Sequence, residues 1–244
     1  MNQLEFRYQP DLLKRFPDIC GGVILAHDLN NAPTPPDLLQ AYQTEQRAVL
    51  YRIGEQPLSE IPSLAAWRAA FRLFGVDPTK YRSAAEALLR RLTKKGDIPS
   101  ISALVDLCNL VSIRHALPVA AFDTREQTGA VTVRFAAGDE SFTAHDSPEP
   151  EHPDPGEVIF ADPAGLVVAR RWCWKQSLES TVELDTRSAI LTVEAQHPGG
   201  QKDIQAALKD LSILLERFVG GNFRAGVLDK ENMAILLAAK KTNF

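Results

Sequence analysis

Residues 105–123 read VDLCNLVSIRHALPVAAFD, and they hold the polar side chains that folding alone explains least. At about 100° per residue, the run from Ile101 to His115 puts Ile101, Leu104, Val105, Leu107, Cys108, Leu110 and Val111 around most of a helix. Ser102, Asp106 and Asn109 form the only polar stripe. A helix apolar nearly all round is buried on most sides, so this stripe faces partners rather than bulk water. An unpartnered buried carboxylate or amide costs roughly 1–3 kcal/mol or more. Asp106 and Asn109 therefore either pin a neighbouring loop or line a hollow that takes a ligand. Pro118 closes the helical pattern, and an apolar VAAF run reads as a strand ending at Asp123.

Upstream, Ser83 and Glu86 make a capping box in front of a helix with Leu88, Leu89 and Leu92 on one side. Leu64, Trp67, Phe71 and Phe74 recur at helical spacing before Gly75, an aromatic stripe of the kind that builds cores. Earlier still, Pro33, Pro35 and Pro36 break the chain, and Asp37 can cap a helix bearing Leu38, Tyr42, Val49 and Ile53. The apolar run around Gly21-Gly22 reads as a buried strand.

Downstream the pattern turns to strands: 131–135, 158–162, 166–175, 180–184 and 190–195. An acidic, proline-rich stretch at 144–156 interrupts them and reads as an exposed loop whose charge serves solvation. A long amphipathic helix carrying Ile204, Leu208, Leu211, Leu215 and Phe218 stops at Gly220-Gly221. The expected fold is α/β (α+β), with mixed or antiparallel sheets, helices packed on one side, and a cavity between helix 101–115 and strands 166–175 and 190–195. Residues 1–60 form an N-terminal strand and helix extension integrated with the core, 61–221 the main domain, and 222–244 a C-terminal tail.

The chain has 244 residues, 45% hydrophobic and 24% charged, with a net charge of −4. That balance argues against nonspecific coating of nucleic acid, but the charge is unevenly placed. Between 66 and 95, Arg68, Arg72, Lys80, Arg82, Arg90, Arg91, Lys94 and Lys95 face only Asp77 and Glu86. Between 136 and 169 there are eight carboxylates and no Lys or Arg. The basic cluster either solvates helix faces or binds RNA. No run is long and apolar enough to span a membrane, and the N-terminus has no signal-type apolar region. Cys20, Cys108 and Cys173 are too scattered for a disulfide framework or metal spacing, which fits a reducing cytoplasm. The five histidines show no zinc-binding spacing. Phosphate-loop, dinucleotide and GxSxG patterns are missing, so no cofactor or metal is expected. His115, after Arg114 at a helix end, suits the helix dipole.

ARRWCWKQS at 169–177 is unusual. Strand alternation would place Arg170, Trp172 and Trp174 on one face and Arg171, Cys173 and Lys175 on the other. Either face could stack a planar group between rings and cations, or the tryptophans could be core covered by arginine stems.

VDLCNLVSIRHALPVAAFD resembles a segment read roughly as VDxTNYVxxExGxPxHAFD in the tRNA-editing module, called B3/B4, of the phenylalanyl-tRNA synthetase β subunit. The matching positions are Val105, Asp106, Asn109, Val111, Pro118, Ala121, Phe122 and Asp123. VIFAD at 158–162 followed by GLVVA at 165–169 is similar to that family's VIAD strand, turn and next strand. The likeness runs over about 60–200 and implies a free-standing relative of the module without a synthetase catalytic domain. In the family this module hydrolyses phenylalanine-accepting tRNA wrongly charged with tyrosine.

Position by position, the family's histidine falls on Ala120, and its glycine-rich strand GVMGG on Arg171 to Lys175. The family's pocket glutamate falls on Glu194 or Thr192, and the Thr-x-Ala-Ser pattern that follows it is absent. Asp106, Asn109, Asp123, Asp162 and Glu194 remain of the scaffold, with Arg114, Ala120, Arg171, Trp172 and Trp174 as further pocket candidates. Two functions follow. One is an RNA- or tRNA-binding module with a remodelled pocket for an amino-acid-like small molecule. The other is a trans-editing hydrolase that deacylates mischarged tRNA by positioning water.

Overall fold

The structure, a computed structural model, describes residues 3–147 and 149–238; Pro148 of the acidic loop and residues 239–244 of the expected tail lie outside the described residues. In chain order the elements are β1 (Leu4–Tyr8), α1 (Pro10–Arg15), β2 (Cys20–His27), α2 (Pro36–Ile53), α3 (Pro62–Leu73), α4 (Ala84–Lys95) and α5 (Ala103–His115). There follow β3 (Val119–Asp123), β4 (Val131–Phe135), β5 (Val158–Ala161), β6 (Val167–Arg170), β7 (Lys175–Gln176), β8 (Ser188–Ala195), α6 (Gly200–Phe218), β9 (Asn222–Leu228) and β10 (Ala234–Leu237).

The chain is built around β2, whose eight residues are all buried. It pairs antiparallel with β8 and with β9 in a four-stranded sheet of order β3-β8-β2-β9. A strand buried on both faces needs cover on both. On one face Ile24, Leu191 and Val193 meet the apolar sides of α2, α4, α5 and α6. On the other, Val23, Leu25 and Ile190 meet a six-stranded sheet of order β10-β1-β4-β5-β6-β7, together with α1 and α3. The six-stranded sheet is mixed because β1 and β4 run parallel. The fold is thus α+β, with the main helices stacked on one side of the central sheet.

Gly21 and Gly22 serve the two faces of β2. A Cβ at Gly22 would lie 2.8 Å from Val193 Cγ1 and 3.1 Å from Ile204, so its absence lets α6 approach. Gly21 faces Tyr8 on the opposite side.

Several local signals act as their chemistry dictates. Ser83 accepts from the Glu86 amide, and Gly96 ends α4 in the left-handed conformation. The other half of the capping box differs: the Glu86 carboxylate takes Arg68 at 2.7 Å. Ser102 sits before α5 as its N-cap rather than on its polar stripe.

Four expectations need correction. Residues 222–237 are no tail, since β9 completes the central sheet and β10 pairs with β1. Residues 180–184 are irregular, because their backbone is tied locally to 177–178 and the side chain of Thr186. The strand expected over 166–175 ends at Arg170; residues 171–174 form a turn, and Arg171 and Trp172 are left-handed at φ 45° and 60°. Such residues cost about 1–2 kcal/mol each. Burial of the Trp172 ring offsets this, as do the bonds from Trp172 N to Val158 O at 2.6 Å and from Arg171 N to Glu157 Oε1 at 2.8 Å. Nor is the charge at 144–156 mere solvation: Glu151 pairs with the buried Arg170 at 2.6 Å and Asp146 with Lys175 at 2.6 Å. Beside that stretch, Glu157 holds Arg170 through two bonds at 3.0 and 2.9 Å, Glu140 pairs with Arg134, and Asp162 accepts from Thr128, Ala164 and Leu166 amides.

Candidate functional site

A cavity of about 330 Å³ lies between α5, the strands β3 and β8, and the turn at 171–174. Its walls are mostly apolar: Val105 and Cys108 from α5, Ala121 and Phe122 from β3, Phe160 from β5 and Trp172 from the turn. Asn109, Thr192 and Glu194 supply polar groups, while Trp174 and Lys175 also border the space.

Glu194 is held from behind. Tyr8 Oη donates to its Oε1 at 2.6 Å, and Trp172 Nε1 donates to both carboxylate oxygens at 3.2 and 3.1 Å. Trp67 Nε1 reaches the Glu194 carbonyl at 3.4 Å. Burial raises the Glu194 carboxyl to about 7, against the lowering effect of the Tyr8 and Trp172 hydrogen bonds. Burial, reinforced by the Glu194 charge, pushes the Cys173 thiol well above its ordinary range, and burial does the same to Cys108. Both thiols thus stay protonated at neutral pH, which makes them poor nucleophiles.

Tyr8 reaches Glu194 only because residue 21, paired with Glu194 across the sheet, has no side chain. A Cβ there would sit 2.2 Å from Tyr8 Oη. Gly21→Ala is expected to expel the Tyr8 hydroxyl and to destabilise the protein by about 1–3 kcal/mol. Urea unfolding measures this, and adding Tyr8→Phe should recover part of the loss. An unchanged midpoint in the single variant would contradict the contact.

Of the residues singled out from sequence, Asn109, Ala120, Trp172, Trp174 and Glu194 line the cavity. Asp106 does not: it accepts from Thr34 Oγ1 at 2.6 Å, from Ser100 Oγ and from the Ile101 amide at 2.9 Å, so it pins the loop before α5. Asp123 is likewise turned away, accepting from Arg125, from the Arg125 amide and from Thr186 Oγ1. Arg114 faces the far side of α5, paired with Glu45 at 2.6 Å and Asp210 at 3.0 Å, where His115 joins it on Asp210 at 2.9 Å. Of Asp106, Asn109 and Asp123, the polar residues expected around the hollow, only Asn109 lines it. Two carboxylates were needed to tie main chain that the helices and strands leave open.

Arg171 lies behind the cavity rim, its guanidinium 4.0 Å from the Tyr81 ring and 4.6 Å from the Trp174 ring. In the basic cluster, Arg68 is committed to Glu86, and Arg82 lies 3.8 Å from the same carboxylate. Arg72, Lys80, Arg90, Arg91, Lys94 and Lys95 are exposed, and Arg90 and Lys94 border a shallow surface hollow with Arg68 and Arg82. Tyr8, Gly21 and Trp67 were not legible as site residues; the only sequence hint is a glycine inside an apolar strand. Among the described residues no group of three or more His, Cys, Asp or Glu is placed to hold a metal ion, and no helix is long and apolar enough to cross a membrane.

An α+β domain with a mostly apolar cavity of about 330 Å³, and a buried carboxylate on a strand of its central sheet, defines the class. The B3/4 domain family matches residues 66–223, and the chain belongs to that family. It is similar to the phenylalanine–tRNA ligase β subunit of Aliivibrio fischeri, 26% identical over 139 residues, which cover 57% of this chain and 18% of that protein. It is also similar to the β subunit of Shewanella oneidensis, 31% identical over 88 residues, or 36% of this chain and 11% of that one. The matches therefore span less than a fifth of these relatives. An N-terminal fragment of the Pyrococcus horikoshii phenylalanyl-tRNA synthetase β subunit superposes with a TM-score of 0.49 at 12% identity, covering 97% of this chain and 55% of the fragment.

Proposed function

We propose that this chain is a tRNA-binding B3/4 module whose rebuilt cavity receives the amino-acid end of a charged tRNA. The cavity carries the reading: about 330 Å³ of mostly apolar space suits one amino-acid side chain. The α4 helix begins at its edge with Ala84 and carries Arg90, Arg91, Lys94 and Lys95 along its length. Membership of a family found in phenylalanine–tRNA ligase β subunits supports a tRNA-related role.

The test compares uncharged tRNA with tRNAs carrying amino acids through a non-hydrolysable amide. Tighter binding of at least one charged form is expected, while equal affinity across the panel would refute the reading. Arg90→Ala with Arg91→Ala should weaken all the tRNAs alike and lower the salt slope by up to about 2, since each arginine neutralises at most one phosphate.

A second reading, hydrolysis, is favoured by Glu194, a cavity carboxyl that titrates near neutrality and can act as a base toward water. Release of free amino acid from a mischarged tRNA, lost in Glu194→Gln, would support it. If every mischarged tRNA stays intact, binding alone remains.

A further inference from the structure

We infer that Trp174, set between Arg171 and Lys175 at the cavity rim, is a stacking platform for the unpaired nucleobase at the 3′ end of the bound RNA. The inference rests on the tRNA-binding reading and adds where the last nucleotide sits.

Trp174 is partly exposed and borders the cavity together with Lys175. Its ring meets Tyr81 edge to face, with centroids 4.8 Å apart. Around these two rings stand three cations: Arg171, Lys175 at 5.6 Å from Trp174, and Lys80 at 5.0 Å from Tyr81. The carboxylates in reach are Asp146 on Lys175, at 2.6 Å, and Glu157, 3.7 Å from Arg171. Asp146 is mostly exposed, and an exposed pair of that kind is weak enough for a phosphate to take over the lysine.

Arg171 lies over both rings and Lys175 over Trp174, so a base stacking on the exposed part of Trp174 finds cations placed for its phosphate; every base has a π-face and its backbone is anionic. Position adds to this. A group esterified to the terminal ribose and the base on that same ribose must lie side by side, as the cavity and Trp174 do. The platform is also held rigid. Ala84 N donates to Cys173 O at 2.8 Å, joining the turn to the start of α4, and Trp172 anchors the turn in the core. A rigid surface loses little freedom on binding.

Two RNA hairpins with the same stem, one blunt and one with a single-stranded 3′ extension, provide the test, with binding followed by fluorescence anisotropy at fixed salt. The full chain should bind the extended hairpin roughly tenfold more tightly, the scale of one stacked base. In Trp174→Ala that ratio should fall to near one, and in Trp174→Phe, which keeps a ring, most of it should return. Binding of the blunt stem in each variant reports that the protein is folded. A ratio near one in the unmodified chain, or one that survives Trp174→Ala, overturns the platform alone. No affinity for either hairpin in the unmodified chain overturns it together with the tRNA-binding reading.

Discussion

Trp172→Ala is expected to lower stability by about 3–5 kcal/mol, the range for truncating a large buried aromatic. Trp172 is fully buried, and its ring packs edge to face on Phe16 at 4.8 Å and Trp67 at 5.1 Å. Alanine removes that packing, leaves a void next to an existing cavity, and strips both Glu194 oxygens of their indole donor. It also leaves a left-handed residue at φ 60° with no buried ring to compensate. Trp172→Phe separates these effects. It keeps most of the packing but loses the N–H, so its cost should fall to about 1–3 kcal/mol. Urea unfolding of both variants makes the comparison; a loss below about 1 kcal/mol for alanine would mean that the turn does not belong to the cooperative core.

The second large effect is on pH. The Glu194 carboxyl, at 4.5 in an unfolded chain, is raised to about 7 by burial. Near pH 8 both states carry the charge, and the folded state bears its desolvation. As the pH falls through 7 the folded protein takes up a proton, which the unfolded chain does not do until about 4.5. The folded state binds more protons across this window, so stability rises as pH falls and levels off below it, with a contribution of about 3 kcal/mol from this group. Tyr8, held well above its ordinary range by burial and by Glu194, stays a donor throughout. Unfolding midpoints near pH 5 and pH 8 should therefore differ more in the unmodified chain than in Glu194→Gln, which cannot titrate. Equal differences in the two proteins would show that Glu194 does not carry the effect. Under the hydrolase reading, deacylation should rise with pH through the same range, because the base must be ionised.

Much of the fold could be read locally. The cap at Ser83 and the period of α5 are each settled by a few neighbouring residues, and the structure uses both. The cavity's position could also be read in part, because a helix apolar nearly all round is buried and its polar stripe marks a side that faces partners. The site was less open to reading. Asp106 and Asn109 lie three residues apart on one helix, yet one pins the loop before it and the other lines the cavity. Helical spacing gives a direction but does not say what stands there.

The sequence by itself determined the helices α2 to α6, the strands β2 to β5 and β8, the α+β class and the family likeness, because periodicity, caps and turn residues act within a few residues along the chain. Tertiary structure alone decided the chemistry of the site. Tyr8 and Glu194 are 186 positions apart and meet only where two sheets stack across Gly21. The run after Arg170 continues a strand pattern, but the chain turns there, since burying Trp172 against Phe16 and Trp67 outweighs the local cost of two left-handed residues. Such contacts are long-range and depend on how much room the packed layers leave, which no local pattern records.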